Sequence, residues 1–438
     1  MKRNAFISMV ALWGISLIPA KIYGQANLPI KIRALSNGVS EVSWPVRSLV
    51  PVPGAQIFPA FRLTVSSNLV DWHSQGDAIV ADNLANQTAK VPITNDSPRM
   101  FVKVESILDF TGAELILVPL GRANFERATF FGADLFAATL DDANLRGADL
   151  RATDLRTASL ERADLRGADL FGSTLAGSTL TDADLQGADL SFSDLTDAKI
   201  DGANLTGCDL SFTSLLGTTS DFTSFHNTRT DENTRMDEKT RAVWRIVNSE
   251  ASGGIFTNLI MRFSNLTNGD LSLADFSNTD LRGSDVQEAN LIGTKLLKAQ
   301  VDFVDFRGAI MDQTTQVTPK VRLVWEVTNQ DSAGRDLQGA DLSNSFFVRA
   351  RLAGANLQGA NLTFSVFPEA DLSGANLRLA RMTDVNAIGV NFQNADLTGA
   401  NLSRADLTDA NLKGATVTST IFTGATFSNT TMPDGTIR

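Results

Sequence analysis

The 438-residue chain holds one cysteine, two histidines and one tyrosine. A single thiol, Cys208, excludes an intrachain disulfide framework. Two imidazoles, His73 and His226, leave little for metal binding or for acid–base work near neutral pH. The phosphate-cradling G-x-x-x-x-G-K-S/T, the zinc motif H-E-x-x-H, the nucleophile elbow G-x-S-x-G and the redox pair C-x-x-C are all missing. After the N-terminal segment no apolar run is long enough to cross a bilayer, so no stable membrane span is expected. Net basic charge is missing too. The formal charge is −11, which argues for solubility and against plain binding to nucleic acid or an anionic membrane. No cofactor, metal or catalytic residue is assigned, and the chain reads as non-enzymatic.

What is present is a period of five. From Ala143 to Leu170 the sequence runs ANLRGADLRATDLRTASLERADLRGADL. Leucine stands at 145, 150, 155, 160, 165 and 170. Two residues before each stands a small side chain, and Asp or Asn usually separates the two. Five matches neither the strand period of two nor the helical 3.6, so the chain is a repeat architecture.

Read from the start, Met1–Ala26 has the form of a secretory signal. Lys2 and Arg3 precede an apolar stretch, Ala5–Ala20, and Gly24 and Ala26 supply small residues before a cleavage point after Ala26. Removing it leaves the chain three charges more negative, and the mature protein is expected to be exported: periplasmic, cell-surface or extracellular. Residues 27–105 hold most of the prolines and alternate in short apolar runs: Ile30–Ile32, Val39–Trp44, Phe61–Val65, Ala89–Ile93 and Phe101–Val104. That pattern predicts a small β-sandwich with Trp44 and Trp72 in its core. The stretch FRLTVSSNLVDWHSQGDAI, with FVKVES near the end, resembles fibronectin-type-III-like modules of secreted bacterial proteins.

Three repeat blocks follow, over 110–225, 256–310 and 337–438, and each shifts frame by one residue from the last. The intervening segments, 226–255 and 311–336, share a design. Arg241–Asn248 and Thr318–Asn329 place Trp244 with Trp325 and Asn248 with Asn329. Each is expected to form an amphipathic helix that covers an edge of the repeat core, with its tryptophan as a plug. Asp237 or Thr240 would cap the first and Gly253-Gly254 would end it. His226 is expected to be a solvated loop residue, and Cys208 a buried stand-in for alanine.

The tandem A-(D/N)-L-x-G of ANLRGADLR, AGANLQGANL and ADLTGANLSRADLTDANL resembles the pentapeptide-repeat proteins. The resemblance implies an all-β fold, a right-handed quadrilateral β-helix with one repeat per side and four per coil. Each central Leu or Phe would then point inward and stack on the residue twenty later. Burying each one stabilises by about 1.5–3 kcal/mol. Asp and Asn would bond the corner backbone. If the blocks were coaxial the solenoid would be a rod about 60 Å long, at about 4.8 Å per coil.

Outward positions are where function would lie. Arg122, Arg127, Arg146, Arg151, Arg156, Arg162 and Arg166 cluster early in the first block. Asp182, Asp184, Asp189, Asp194, Asp197, Asp201 and Asp209 cluster late, so the block is expected to be electrically polar along its axis. Four-per-coil stacking puts Phe131, Phe171, Phe192 and Phe212 on one wall. With Arg146, Arg151 and Arg166 they form the candidate interaction surface.

The favoured function is a secreted structural or interaction protein that presents a rigid rod to a protein or surface partner, without nucleic acid. A homodimer through the C-terminal coil is the one self-association the pattern suggests. Two alternatives come from other classes. The family resemblance brings in a DNA-mimicking inhibitor or protector of gyrase, a type of topoisomerase. The β-helix itself brings in a carbohydrate-binding or carbohydrate-active protein.

Overall fold

The computed structural model describes residues 109–438 throughout. Ahead of them it describes only the backbone of short strands between Ile15 and Ile107. It divides into two units: Met1–Thr219 with Arg229–Arg235, and Ser220–Thr228 with Met236–Arg438.

The strands of the N-terminal region fall on the apolar runs. Val39–Pro45 pairs antiparallel with Lys31–Ala34 on one side and with Asn86–Pro92 on the other. Ala60–Ser66 pairs antiparallel with Met100–Ile107, and Ile15–Leu17 pairs parallel with the latter. Packing of these sheets as a sandwich, the surroundings of Trp44 and Trp72, and the cleavage point at Ala26 lie outside the described residues.

From Asp109 onward, within each block, one residue of each repeat pairs in parallel with one twenty positions on, as in Asp149 with Asp169 and Asn391 with Asn411. Twenty is four repeats of five, so each turn has four repeats. One repeat shows why this sequence closes. The N–H groups of Leu145 and Gly147 donate to Asp164 O at 2.7 Å and Arg166 O at 2.9 Å in the next turn. Those of Ala148 and Asp149 reach Leu145 O at 3.0 Å and Ala128 O at 2.9 Å. The fifth, on Arg146, has no carbonyl, and Asn144 Oδ1 accepts it at 3.2 Å. Asp or Asn recurs at this place because a buried or half-buried N–H must be satisfied.

The interior is filled by the central residues and the small ones. Leu135, Leu150, Leu170, Ala148 and Ala168 are all buried, as are most of their counterparts through Leu412. Where a small position carries a hydroxyl, it donates to the carbonyl three residues back, as Ser193 Oγ does to Leu190 O, or to the one 23 residues back. Thr153 Oγ1 reaches Phe130 O at 2.8 Å and Thr294 Oγ1 reaches Leu271 O at 2.8 Å. Cys208 follows the same rule through its Sγ, 3.0 Å from Leu185 O, and burial pushes its thiol up to about 12.

Ser173 and Ser178 break the rule. Both hydroxyls are buried without a hydrogen-bond partner. Ser173→Ala and Ser178→Ala should each raise the unfolding free energy by about 0.5–1 kcal/mol, because a buried unpaired hydroxyl costs more than the methyl that replaces it. Urea unfolding of the two variants checks this. A loss of stability in both would mean that the hydroxyls are bonded.

Two helices interrupt the winding, α1 (Glu238–Val247) and α2 (Pro319–Asn329). Asp237 caps the first by accepting the Thr240 N–H; Thr318 caps the second, with Pro319 opening it. The chain needs 41 residues to return to the same place: His226 Nε2 bonds Thr267 O at 2.6 Å. Forty-one is one more than a multiple of five, which produces the shift of frame. His226 is half-buried between Ser224 Oγ and Thr267 O, so it is a clamp between turns and not a solvated loop residue.

The tryptophans are not the plugs. Val243, Ile246 and Val247 of α1, with Thr240 and Ala242, and Val321, Val324 and Val327 of α2, are the buried residues. Trp244 and Trp325 are half-buried. Their Nε1 groups donate to Thr228 Oγ1 at 2.9 Å and Ala309 O at 2.7 Å. An indole that must satisfy its N–H sits at the rim, where polar groups are, and aliphatic side chains fill the interior.

Candidate interaction surface

Each repeat turns a corner on the two residues after its central one, and the second of these has a left-handed backbone. Glycine holds that place at 147, 167 and 187, with φ of +60°, +63° and +70°. Phenylalanine holds it at 192 and 212, with φ of +61° and +59°, and again at 222, 263, 303 and 364. A bulky side chain in this region is disfavoured by roughly 1–2 kcal/mol. Phe192 and Phe212 are also 52% and 46% exposed. Two unfavourable choices therefore coincide at each position.

These residues form a column. Phe171, 45% exposed, lies 5.2 Å from Phe192, centroid to centroid, and Phe192 stacks on Phe212 at 4.4 Å with 7° between planes. Phe131 stands two turns before Phe171, and Arg151 lies between them with its guanidinium 5.4 Å from the Phe131 ring. Five of the seven candidate residues thus share one corner. Arg146 and Arg166 belong to the corner one repeat earlier. The phenylalanines stand out in LSFS and LSFT because this corner elsewhere in the first block holds glycine or residues such as Ala152, Arg162 and Asp197.

The early arginines are not a free positive field. Arg151, Arg156 and Arg166 each make paired bonds to the aspartate two residues back, with the shortest contacts at 2.7, 2.5 and 2.5 Å. Arg162 reaches Asp142 in the preceding turn at 2.8 Å. Of the later aspartates, Asp184 lies 3.4 Å from Arg166 and Asp209 3.4 Å from Arg229. Asp189 and Asp194 accept from Ser191 and Thr196. The expected polarity is therefore reduced at its basic end by local pairing.

These pairs set a pH dependence. The Arg151, Arg156 and Arg166 guanidiniums hold the carboxyls of Asp149, Asp154 and Asp164 below the usual 3.8. Groups lowered on folding stabilise above the unfolded value and lose that contribution as pH falls through the folded one. Asp285 is opposite: burial raises its carboxyl, so protonation there favours the folded state. Hydrogen exchange at pH 3 against pH 6, normalised to intrinsic rates, should show protection falling around Leu150–Leu170 and held or raised around Val286. The exposed pairs should add less than about 1 kcal/mol each. Equal changes in both regions would contradict this.

No other feature among the described residues is an obvious site. An open groove of about 400 Å³ beside α2 is lined by Met311, Asp312, Gln313, Arg322, Trp325 and Glu326. Arg322 is tied to Asp312 O and Thr315 O at 2.9 Å, and Glu326 to Arg335. Among the described residues no group of three His, Cys, Asp or Glu could hold a metal ion, and no helix is long and apolar enough to cross a membrane.

Parallel turns of four repeats around an aliphatic interior define a β-helical solenoid. The family model for pentapeptide repeats, in eight copies, matches overlapping stretches that cover residues 109–211, 274–313 and 336–433. The chain belongs to the pentapeptide-repeat family. The match begins at residue 109, so it lends no support to a fibronectin-type-III-like module before it. Similar solved structures include HetL, a pentapeptide repeat protein involved in heterocyst differentiation regulation from the cyanobacterium Nostoc. It is 22% identical over 73% of this chain and 94% of its own, with a TM-score of 0.20. A thylakoid-lumen pentapeptide repeat protein of Arabidopsis thaliana is 28% identical over 28% of this chain and 79% of its own, at 0.20. Full-length QnrB1, a plasmid-mediated fluoroquinolone resistance protein, is 15% identical over 60% of this chain and 85% of its own, at 0.17. No curated protein matches the sequence.

Proposed function

We propose that this chain is an exported, non-catalytic interaction protein that presents the Phe171–Phe192–Phe212 corner of its first repeat block to a protein or surface partner. The observation that carries this reading is the coincidence at Phe192 and Phe212 of left-handed backbone, outward exposure and ring stacking. Left-handed backbone recurs at this corner and is borne by other bulky residues, such as Leu117 and Leu273, so it is the exposed, stacked pair of rings that points to a contact surface. Export rests on the basic start and short apolar segment of Met1–Ala26. A right-handed winding with four flat sides gives the surface its stiffness. The DNA-mimic alternative has less support, since paired arginines stud the wall that would need to be uniformly negative.

The test is a photo-crosslinking residue at position 192 of the mature chain, exposed to the native extracellular milieu. Excess unlabelled wild-type chain should suppress the adduct. Phe192→Asn/Phe212→Asn should suppress it at least tenfold less well, with a thermal midpoint within about 3 °C of wild type, because asparagine tolerates the left-handed region. Equal competition by the double variant would overturn the assignment.

A further inference from the structure

We infer that the two helical inserts are keyed to their seats: each seat accepts its own helix and discriminates against the sister helix 81 residues away. This fixes the winding register of a chain whose repeats are otherwise interchangeable. The inference goes beyond the proposed function and does not depend on it.

The two inserts are copies in their framework. Lys239, Arg241, Val243, Trp244 and Asn248 recur as Lys320, Arg322, Val324, Trp325 and Asn329. Asn248 Nδ2 donates to Phe225 O at 2.9 Å, and Asn329 Nδ2 to Phe306 O at 2.8 Å. Before each helix, Thr234 and Thr315 donate to Leu210 O and Leu291 O at 2.9 and 2.8 Å. All of these correspondences are displaced by 81 residues, and the repeat frame shifts with them. A chain that wound one insert into the other's seat would therefore keep its leucines inward. Nothing in the periodicity forbids that error.

The residues inside the seats do forbid it. Ile246, fully buried on α1, packs where Gly269 leaves room: a Cβ added to Gly269 would lie 2.7 Å from Ile246 Cγ2 and 3.0 Å from Leu266 O. At the equivalent places the pair is Val327 and Ala350, both buried. Between the two seats the helix loses one carbon, the Cδ1 of isoleucine, and the wall gains one, so total volume is conserved; the methyl nearest Gly269, Cγ2, is common to both side chains. The second pair differs in polarity. Ser220 and Thr240 are buried with their hydroxyls 3.3 Å apart. Their counterparts, Val301 and Val321, face a common cavity of about 40 Å³. With α1 in the second seat, Ile246 would meet Ala350 with a carbon too many, and the Thr240 hydroxyl would face Val301. With α2 in the first seat, Val327 would leave a void against Gly269, and the Ser220 hydroxyl would face Val321. Both exchanges combine a packing fault with a buried unpaired hydroxyl. A sequence that agrees with its fold at each such point winds one way.

The test uses the full chain and two cycles. Gly269→Ala should lower the thermal midpoint by about 5 °C. Ile246→Val should lower it less, and Ile246→Val/Gly269→Ala should recover at least half of the Gly269→Ala loss, through the space that the absent Cδ1 leaves. Ser220→Val and Thr240→Val should each lower it, and the pair should recover it. The mirror cycle, Val327→Ile with Ala350→Gly, reads the second seat should the first set fail to fold. The fourfold variant carrying Ser220→Val, Thr240→Val, Ile246→Val and Gly269→Ala matches the first seat to the second at these four places. It should keep its midpoint yet refold from urea with less than half the wild-type yield of native chain. Additive effects in the cycles would overturn the keying. A fourfold variant that refolds as completely as wild type would overturn its role in register.

Discussion

Leu150→Ala will lower the unfolding free energy by about 3–5 kcal/mol, and Leu402→Ala will do the same, although the two residues belong to different units of the chain. Both side chains are fully buried, and the rungs twenty residues either side of Leu150, Phe130 and Leu170, are fully buried as well. The loss has two parts. Three carbons leave an apolar environment, and the void they leave cannot collapse, because parallel backbone pairing fixes the spacing of the turns. The same pairing makes the damage local. In a solenoid each turn is held by its neighbours, so stability is close to a sum of nearest-neighbour contributions. Hydrogen exchange in Leu150→Ala should therefore rise first at amides bonded to the flanking turns, such as Leu150 to Asp169 O and Leu170 to Asp189 O. Amides near Leu402 should stay protected. A cost below about 1 kcal/mol, or loss of protection spread evenly along the chain, would mean that these leucines are not the rungs of the core.

Much of this fold was legible in the residues, for reasons that can be stated. Leucine every fifth position with alanine two before it describes an interior with room for one large and one small side chain per repeat. The structure buries Leu150 and Ala148 in those roles. The aspartates were readable as backbone partners because a tight corner leaves one N–H without a carbonyl, and Asn144 and Asp149 supply the acceptor. The helix caps at Asp237 and Thr318 follow from the same need.

What escaped the sequence has physical causes. Trp244 and Trp325 look like plugs because they are the largest apolar groups on their helices, but an indole N–H must be satisfied, and the rim offers partners. The arginines look like a positive field when counted along the chain. The corner folds Arg151, Arg156 and Arg166 back on the aspartate two residues before, a closure that a linear count does not show. His226 looks like loop because no repeat surrounds it in sequence; its partner Thr267 is a turn away across the insert. For the candidate surface, the missing signal was conformational. Phe192 and Phe212 sit at a corner whose backbone is left-handed, and it is their stacking at that corner that marks them out more sharply than exposure alone.

The inserts carry the second large expected effect. Asn329→Ala should cost about 2–3 kcal/mol, more than any exposed ion pair in the chain. Its amide nitrogen donates to Phe306 O at 2.8 Å and Trp325 O at 3.0 Å, and its oxygen accepts the Gly308 N–H at 2.6 Å. One half-buried side chain thus joins the end of α2 to the turn beneath it. Alanine abandons all three bonds; water can replace the exposed one to Gly308 but reaches the two part-buried carbonyls less well. Asn329→Asp separates the contributions. It keeps an acceptor for Gly308 but turns a carboxylate oxygen toward two carbonyls, so it should destabilise at least as much as alanine above pH 5. As the carboxyl takes up a proton at lower pH, the difference should shrink. If both variants unfold within 0.5 kcal/mol of wild type, as judged by urea titration at pH 7, the helix is not latched through this residue. The seat would then be held by Val321, Val324 and Val327 alone.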